Sequence, residues 1–249
     1  MTISIVTWKM YRRSNSRKRR FSLFRLLKQI VNLLLGLWIF TALLILLFRF
    51  IPPPTTSFML QTALRNGPYA YRWQPYEQIS PNMALAAIAA EDQRFPTHNG
   101  FDLKEIDAAI RDAEGGANLR GASTISQQVA KNLFLIPGGG FARKLIEAVL
   151  TFHIELMWSK QRILEMYLNI AQFSNRTFGV AAASQQFFQI SAQDLTAEEA
   201  ALLAAVLPGP ELYSLEAPSA ELLYQQGRIL NQMNLLGGSA YLQQLYEAP

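Results

Sequence analysis

Three groups of residues in this 249-residue chain have the types and spacing to do chemistry. Glu91-Asp92 closes an apolar run that includes Met83, Leu85, Ala86, Ile88 and Ala89, and continues as Gln93-Arg94-Phe95-Pro96-Thr97-His98-Asn99-Gly100. A carboxylate placed there loses hydration; a desolvated Glu has a raised pKa and can exchange a proton near neutral pH. An exposed acidic helix end is the plain alternative, although a helix C-terminus disfavours it. His98 by itself fits a packed or surface histidine equally well. The second group is Gly121 to Asn132, read GASTISQQVAKN. It has the form of a loop feeding a helix, with Ser123 or Thr124 as cap. Unpaired N–H groups and a partial positive charge at a helix start can seat an anion. Lys131 falls on the same helix face as Gln127 and Thr124. Hydroxyls, amides and one lysine make a phosphate seat, and a capped surface helix with solvated side chains is the competing account. The third group is Arg143-Lys144-Leu145-Ile146-Glu147, where a helix salt bridge worth ~0.3–0.5 kcal/mol would account for the spacing by itself. No HExxH, clustered His/Asp or Cys set offers a metal site made by the protein alone.

The elements that must position these groups read as helices. Ser80-Pro81 is a cap followed by proline at the first helical position, and starts a helix that runs towards Glu91. Further helices are expected over Ser57 to Arg65, with Phe58, Met59 and Leu64 exposed or membrane-facing, and over Phe101 to Ala113. A glycine-rich loop, Glu114 to Gly121, is expected to move. The GASTISQQVAKN run continues helically to Phe134, and Pro137-Gly138-Gly139-Gly140 is a hard break. Helices follow over Phe141 to Trp158, from Ser159 to Ile170, and over Phe178 to Phe188. Thr196 and Glu199 form a capping box for Ala197 to Leu207, and Pro218 to Leu236 is the last long helix. Strand signals are confined to short pieces. The expected class is mostly α.

Charge is distributed unevenly. The net charge is +5, but residues 1–50 hold ten Lys/Arg and no acid, whereas residues 51–249 hold 13 basic against all 18 acidic side chains. The larger part is mildly acidic and has no basic stripe, which argues against a nucleic-acid role. Ile30 to Phe48 is an uncharged apolar stretch of 19 residues, about enough to cross ~30 Å of hydrocarbon. The cations before it put the N-terminus in the cytoplasm and the larger part outside. Leu47-Phe48-Arg49-Phe50-Ile51-Pro52 does not read as a signal-peptide cleavage site, so an uncleaved anchor is expected. The chain therefore divides into a basic cytoplasmic arm (1–29), a membrane anchor (30–50) and an extramembrane domain (51–249). Pro52 to Thr56 is a stiff spacer between the last two.

Taken together, the segments resemble the peptidoglycan glycosyltransferases, family 51 of the glycosyltransferases. EDxxFxxHxG matches Glu91 to Gly100, GxSTIxQQxxKN matches Gly121 to Asn132, RKxxE matches Arg143 to Glu147, and KxxILExYLN matches Lys160 to Asn169. A Gly/Ala segment near Phe178 to Phe188 follows, and the match covers roughly residues 74–210. The resemblance is strongest to the monofunctional, membrane-anchored transglycosylases of Gram-negative bacteria. The 249 residues contain no SxxK or KTG, so the transpeptidase activity of bifunctional relatives is not expected.

The resemblance implies a lysozyme-like helical domain with a small membrane-proximal lobe, and the polymerisation of lipid II into β-1,4-linked glycan with release of undecaprenyl pyrophosphate. Glu91 matches the family's general base and Glu147 its second glutamate, near the leaving pyrophosphate, through a divalent cation (Mg²⁺ or Mn²⁺). Lys131 and Arg143 would meet the diphosphate charge. Ser123, Thr124, Gln127, Gln128, Asn132 and Lys144 would line the same site, with Asp92, Phe95 and His98 on the substrate-binding side. No organic cofactor is implied. The implied partners are lipid II, undecaprenyl-pyrophosphate-linked glycan, the bacterial inner membrane and other cell-wall synthesis proteins, with the catalytic domain in the periplasm. One position departs from the family pattern: an Arg often stands four residues before the Arg-Lys pair, and Gly139 stands there here. Two other readings compete, a lysozyme-like or lytic enzyme that cleaves glycan and a non-catalytic membrane-anchored scaffold.

Overall fold

The computed structural model describes residues 4–114, 123–136 and 138–247. They form two compact units, residues 1–47 and 48–249, each taken by itself. The first unit lies in one helix, α1 (Ser4–Phe48), which carries a 25-residue stretch, Phe24–Phe48, with mean hydropathy 2.6. That stretch is long and apolar enough to span a membrane.

The second unit is built around α3 (Pro81–Glu91). The Ser80 hydroxyl accepts from the Asn82 N–H and Pro81 fills the first helical position, as the sequence led one to expect. Met83 to Ala89 are buried without interruption, so α3 is apolar on every face. Its alanines let two neighbours approach closely, α9 (Ala197–Val206) and α10 (Ala220–Leu235). Thr196 and Glu199 close the reciprocal capping box that starts α9.

A second layer consists of α5 (Ile125–Phe134), packed on both α6 (Phe141–Met157) and α7 (Lys160–Ile170). Across it lies α2 (Ser57–Asn66). The Ser57 hydroxyl donates to the Asn132 and Leu135 carbonyls (3.2 and 2.7 Å), satisfying acceptors at the end of α5. Met59, expected to be exposed, is fully buried in α2 because that face is spent on α5, whereas Leu64 stays 88% exposed. The remaining elements are α4 (Leu103–Glu114), α8 (Val180–Phe187), a short α11 (Gln244–Glu247) and a small sheet. Its strands are β1 (Ala70–Tyr71), β2 (Gln172–Ser174) and β3 (Thr177–Phe178), in the order β1-β3-β2. Strand β3 runs parallel to β1, with Ala70 opposite Thr177, and antiparallel to β2.

Two polar knots hold these layers in register. Lys160, at the start of α7, is buried; its ammonium donates to the His98 carbonyl (2.5 Å) and to Glu155 (2.8 Å) and sits 4.7 Å from the Phe95 ring centroid. Glu155 also accepts from Ser126 of α5. A buried lysine is tolerated because it is paired with Glu155 and hydrogen-bonded to two acceptors. The second knot is Arg162, whose guanidinium donates to the Phe48 and Ile51 carbonyls, pairs with Glu165 at 2.6 Å and lies 5.0 Å from the Trp73 ring centroid. The spacer is further fastened by Tyr71, which donates to the Pro53 carbonyl.

Candidate active site

Glu91 is the last residue of α3, and it lines a cleft of about 550 Å³ shared with Gln93, Arg94, Ser123, Arg228 and Gln232. Burial at the end of the apolar helix raises its pKa above the ordinary carboxylate range, and the nearby Asp92 charge pushes the same way. A hydrogen bond from Gln128 and the charge of Lys131 oppose the rise. Gln128 Nε2 donates to Glu91 Oε2 at 2.5 Å, whereas Glu91 Oε1 is buried without a partner.

One turn along α5 from Gln128 begins a cluster of positive charge. Glu147 of α6 is 2% exposed, and Lys144 and Arg143 each engage one of its oxygens, Arg143 at 3.3 Å. Lys131 stands beside them. Burial lowers its pKa, the carboxylates of Glu147 and Glu91 raise it, and Arg143 and Lys144 lower it again. Among the described residues the Lys131 ammonium makes no ion pair, and it lies 5.8 Å from the Phe58 ring centroid. Arg143 Nε and Asn132 Oδ1 are buried and unpartnered. Three cations therefore surround one carboxylate, leaving positive charge and an N–H donor over. Such a place suits a further anion.

The start of α5 already has a negative partner. There the Ile125 N–H donates to Asp92 Oδ2 (3.0 Å), and Thr124 and Gln127 bond each other's backbone in a capping box. The negative partner of this helix start is the protein's own Asp92, reached from 33 residues away, so no phosphate is needed there. Asp92, Phe95, His98, Thr124 and Gln127 all have partners within the protein, and Asp92 and Thr124 also line the cleft beside Glu91. Each is buried: Asp92 Oδ1 bonds His98 Nε2 (2.9 Å), Phe95 lies under Lys160, and the Thr124 hydroxyl donates to the Gly100 carbonyl (2.7 Å). Ser123 is exposed on the cleft wall. The fold also gathers a His/Asp set invisible in the sequence, with atoms of Asp92, His98 and Asp102 within 4.8 Å of one another. Both Asp92 oxygens and Asp102 Oδ1 are engaged by His98, the Ile125 N–H, Arg94 and the Lys104 and Glu105 N–H groups, which makes the set a polar knot, while His98 Nδ1 is buried without a partner.

Two glycines, Gly100 in the first motif and Gly139 at the departure from the pattern, have structural reasons. A Cβ on Gly100 would come within 2.9 Å of both Glu155 Cγ and Thr151 Cγ2, at a φ of +84°. Gly139 has a φ of +92°, and a Cβ there would lie 3.1–3.2 Å from Arg143 carbons, so this backbone does not accept an arginine. The expected mobile loop at residues 114–121 lies outside the described residues, apart from its first residue. The sequence marks Phe58 only as exposed or membrane-facing, not as a neighbour of Lys131, and does not show the relation of Tyr167 to Gln128. Tyr167 reads as one more member of the α7 apolar stripe, and only its hydroxyl, 3.4 Å from Gln128 Oε1, marks it out.

Residues 60–234 match the profile of the family described as transglycosylase. The chain is 44% identical over 229 residues to a biosynthetic peptidoglycan transglycosylase of Pseudomonas fluorescens, covering 90% of this chain and 95% of that one. It is 49% identical over 200 residues to one of Pasteurella multocida, covering 78% and 81%. With one of Mannheimia succiniciproducens it shares 50% over 204 residues, covering 79% and 84%. A match over most of the chain, bearing on the helices that hold both glutamates, makes this protein a member of the transglycosylase family and a glycosyl-transferring enzyme.

Proposed function

We propose that the protein polymerises lipid II into β-1,4-linked glycan, with Glu91 as general base and the Lys131/Arg143/Lys144/Glu147 cluster as the seat of the leaving diphosphate. The observation that carries this reading is the pairing, along one face of α5, of a buried carboxylate with raised pKa and a cluster holding spare positive charge. Glu91 takes the proton of the acceptor's 4-hydroxyl as that oxygen attacks C1 of the donor sugar. The C1–O bond to the diphosphate breaks, the electron pair leaves with the diphosphate, and the configuration at C1 inverts. Lys131 and Arg143 balance the charge that develops on the leaving group in a site that is already partly desolvated.

A lytic or lysozyme-like enzyme would need the carboxylate but not the cations, and a non-catalytic scaffold would need neither. The helix that carries Glu147 also exposes Phe141, Leu145, Val149, Phe152 and Leu156, an apolar stripe suited to a substrate with a long lipid tail. With the 25-residue apolar stretch of α1 as anchor and the basic arm in the cytoplasm, the enzyme works on the periplasmic face of the inner membrane.

Glu147 does not fit a divalent cation held by the protein: both its oxygens are taken by Arg143 and Lys144, and three cations crowd it. No step here runs through a metal, and a cation requirement is assigned to the diphosphate, whose own oxygens would supply the ligands.

The test is to incubate detergent-solubilised full-length protein with labelled lipid II and look for lysozyme-digestible polymer. Wild type is expected to make it and Glu91→Gln is not. Equal polymer from both would sink the assignment of the base.

A further inference from the structure

We infer that Gln128, oriented by Tyr167, is a positioning residue that holds Oε2 of Glu91 and so fixes the rotamer of the carboxylate that takes the acceptor's proton. The inference rests on the reading of Glu91 as general base. Gln128 belongs to a pair of glutamines that one helical step turns towards different tasks. Gln127 faces inward and its Oε1 accepts from the Thr124 N–H at 3.0 Å, closing the cap of α5. Gln128 faces α3 and α7.

A carboxylate accepts hydrogen bonds only, so the amide must turn its NH₂ to Glu91. Its carbonyl oxygen then points to the Tyr167 hydroxyl, a donor, at 3.4 Å. Tyr167 is fully buried and its ring cannot wander, and burial raises its pKa well above 10, so the hydroxyl keeps its proton. The three groups thus share one consistent orientation: Tyr167 fixes the amide, and the amide fixes Oε2 of Glu91. Oε1 is left buried and unpartnered. A general base must offer its lone pairs in one fixed orientation, and an unclamped carboxylate would rotate and spread its basicity over several orientations.

The hydrogen bond has a second consequence. Burial alone would drive Glu91 towards its protonated, inactive form, and the Gln128 donor is foremost among the influences that oppose it. The other charged and titratable groups facing Glu91 are Asp92 beside it on α3, Lys131 on α5 and Tyr167 on α7, with Arg94, Asp102, Glu105, Tyr213 and Arg228 on the cleft wall. None of them bonds Glu91, so removing the amide donor removes the only hydrogen bond holding its ionised form among the described residues.

The test compares full-length wild type, Gln128→Met, which keeps the length of the side chain but not its donor, and Tyr167→Phe. The pH dependence of kcat/KM for lipid II polymerisation is measured in detergent. The expected result for Gln128→Met is an acidic limb displaced upward by about one pH unit, together with a lower plateau because the unclamped carboxylate rotates. Tyr167→Phe should move it the same way by less. A lower plateau with an unmoved limb would overturn the inference, because that is what a packing role predicts. A direct readout comes from ¹³C-carboxyl titration of glutamate-labelled protein, with the Glu91 resonance identified by its loss in Glu91→Gln. The Glu91 titration should move upward in Gln128→Met, and an unmoved titration overturns the proposal even where activity is too low to profile. Should Gln128→Met not fold, Tyr167→Phe carries both readouts. If Glu91→Gln instead kept polymerising, the base assignment would fall, whereas the titration would still report on the hydrogen bond.

Discussion

Asp92→Ala separates a scaffold residue from a substrate contact. Asp92 is 7% exposed, and its two oxygens take the His98 ring N–H and the Ile125 backbone N–H at 2.9–3.0 Å. Truncation leaves a buried ring nitrogen and the first N–H of α5 without partners. Each buried donor left unsatisfied costs ~1–3 kcal/mol, so the loss should be about 2–6 kcal/mol. That is a large share of the ~5–15 kcal/mol that holds an ordinary domain together. At a urea slope of roughly 2 kcal/mol/M the unfolding midpoint should fall by about 2 M. The assay is equilibrium unfolding of the full chain in detergent, followed by tryptophan fluorescence, with Trp158, 4% exposed, as a core reporter. Asp92→Asn, which keeps one acceptor oxygen, should lose about half as much. A side chain whose task was to touch substrate would change stability by less than ~0.5 kcal/mol on truncation. An unchanged midpoint with lost activity would therefore refute a scaffold role for Asp92.

Other perturbations have equally definite outcomes. Glu91→Gln should raise stability at neutral pH. The folded pKa of Glu91 lies above its unfolded value, so the folded state binds the proton more tightly, and its stability falls as pH rises from the unfolded to the folded pKa. The gain in melting temperature over wild type should shrink below pH ~4, where the carboxyl is protonated in both states; a gain independent of pH would contradict this. Lys131→Met should abolish polymer formation while leaving the thermal midpoint unchanged or higher, since burial already opposes that charge; retained polymer would mean that the diphosphate sits elsewhere. Gly139→Arg, which restores the commoner residue, should not raise activity and should cost ~1–2 kcal/mol for a left-handed residue with a side chain. A melting temperature at or above wild type would show that the loop can re-form.

What could be read from the sequence was what is local. Ser80-Pro81, Ser159 and the Thr196/Glu199 box start helices where expected, because a cap and the N–H it serves lie within three residues of each other. The mostly helical, lysozyme-like class follows from those signals and from the family resemblance. The desolvation of Glu91 was also legible, since the apolar turns before it are adjacent in sequence. Long-range partners were not. Nothing near Thr124 announces that Asp92 supplies the anion for its helix, and nothing near Met59 announces that α5 covers it. The motif that reads as one phosphate seat is divided by the fold for this reason. Its N-terminal donors are spent inside the protein, and the spare charge lies a turn and a half further on, at Lys131, where α6 contributes two more cations.

The apolar stripe of α6 also governs how the protein behaves in a test tube. Phe141, Leu145, Val149, Phe152 and Leu156, each 42–86% exposed, remain in any fragment that begins after residue 47. Such a fragment would still present a contiguous oily surface, so removing α1 should not yield a monodisperse aqueous protein. Because Arg143, Lys144 and Glu147 ride on the same helix, surface engineering for solubility would disturb the rotation and register of that helix. Choice of detergent therefore becomes a variable of the activity assay itself, since micelles that cover α6 compete with any lipid-tailed ligand for the same strip.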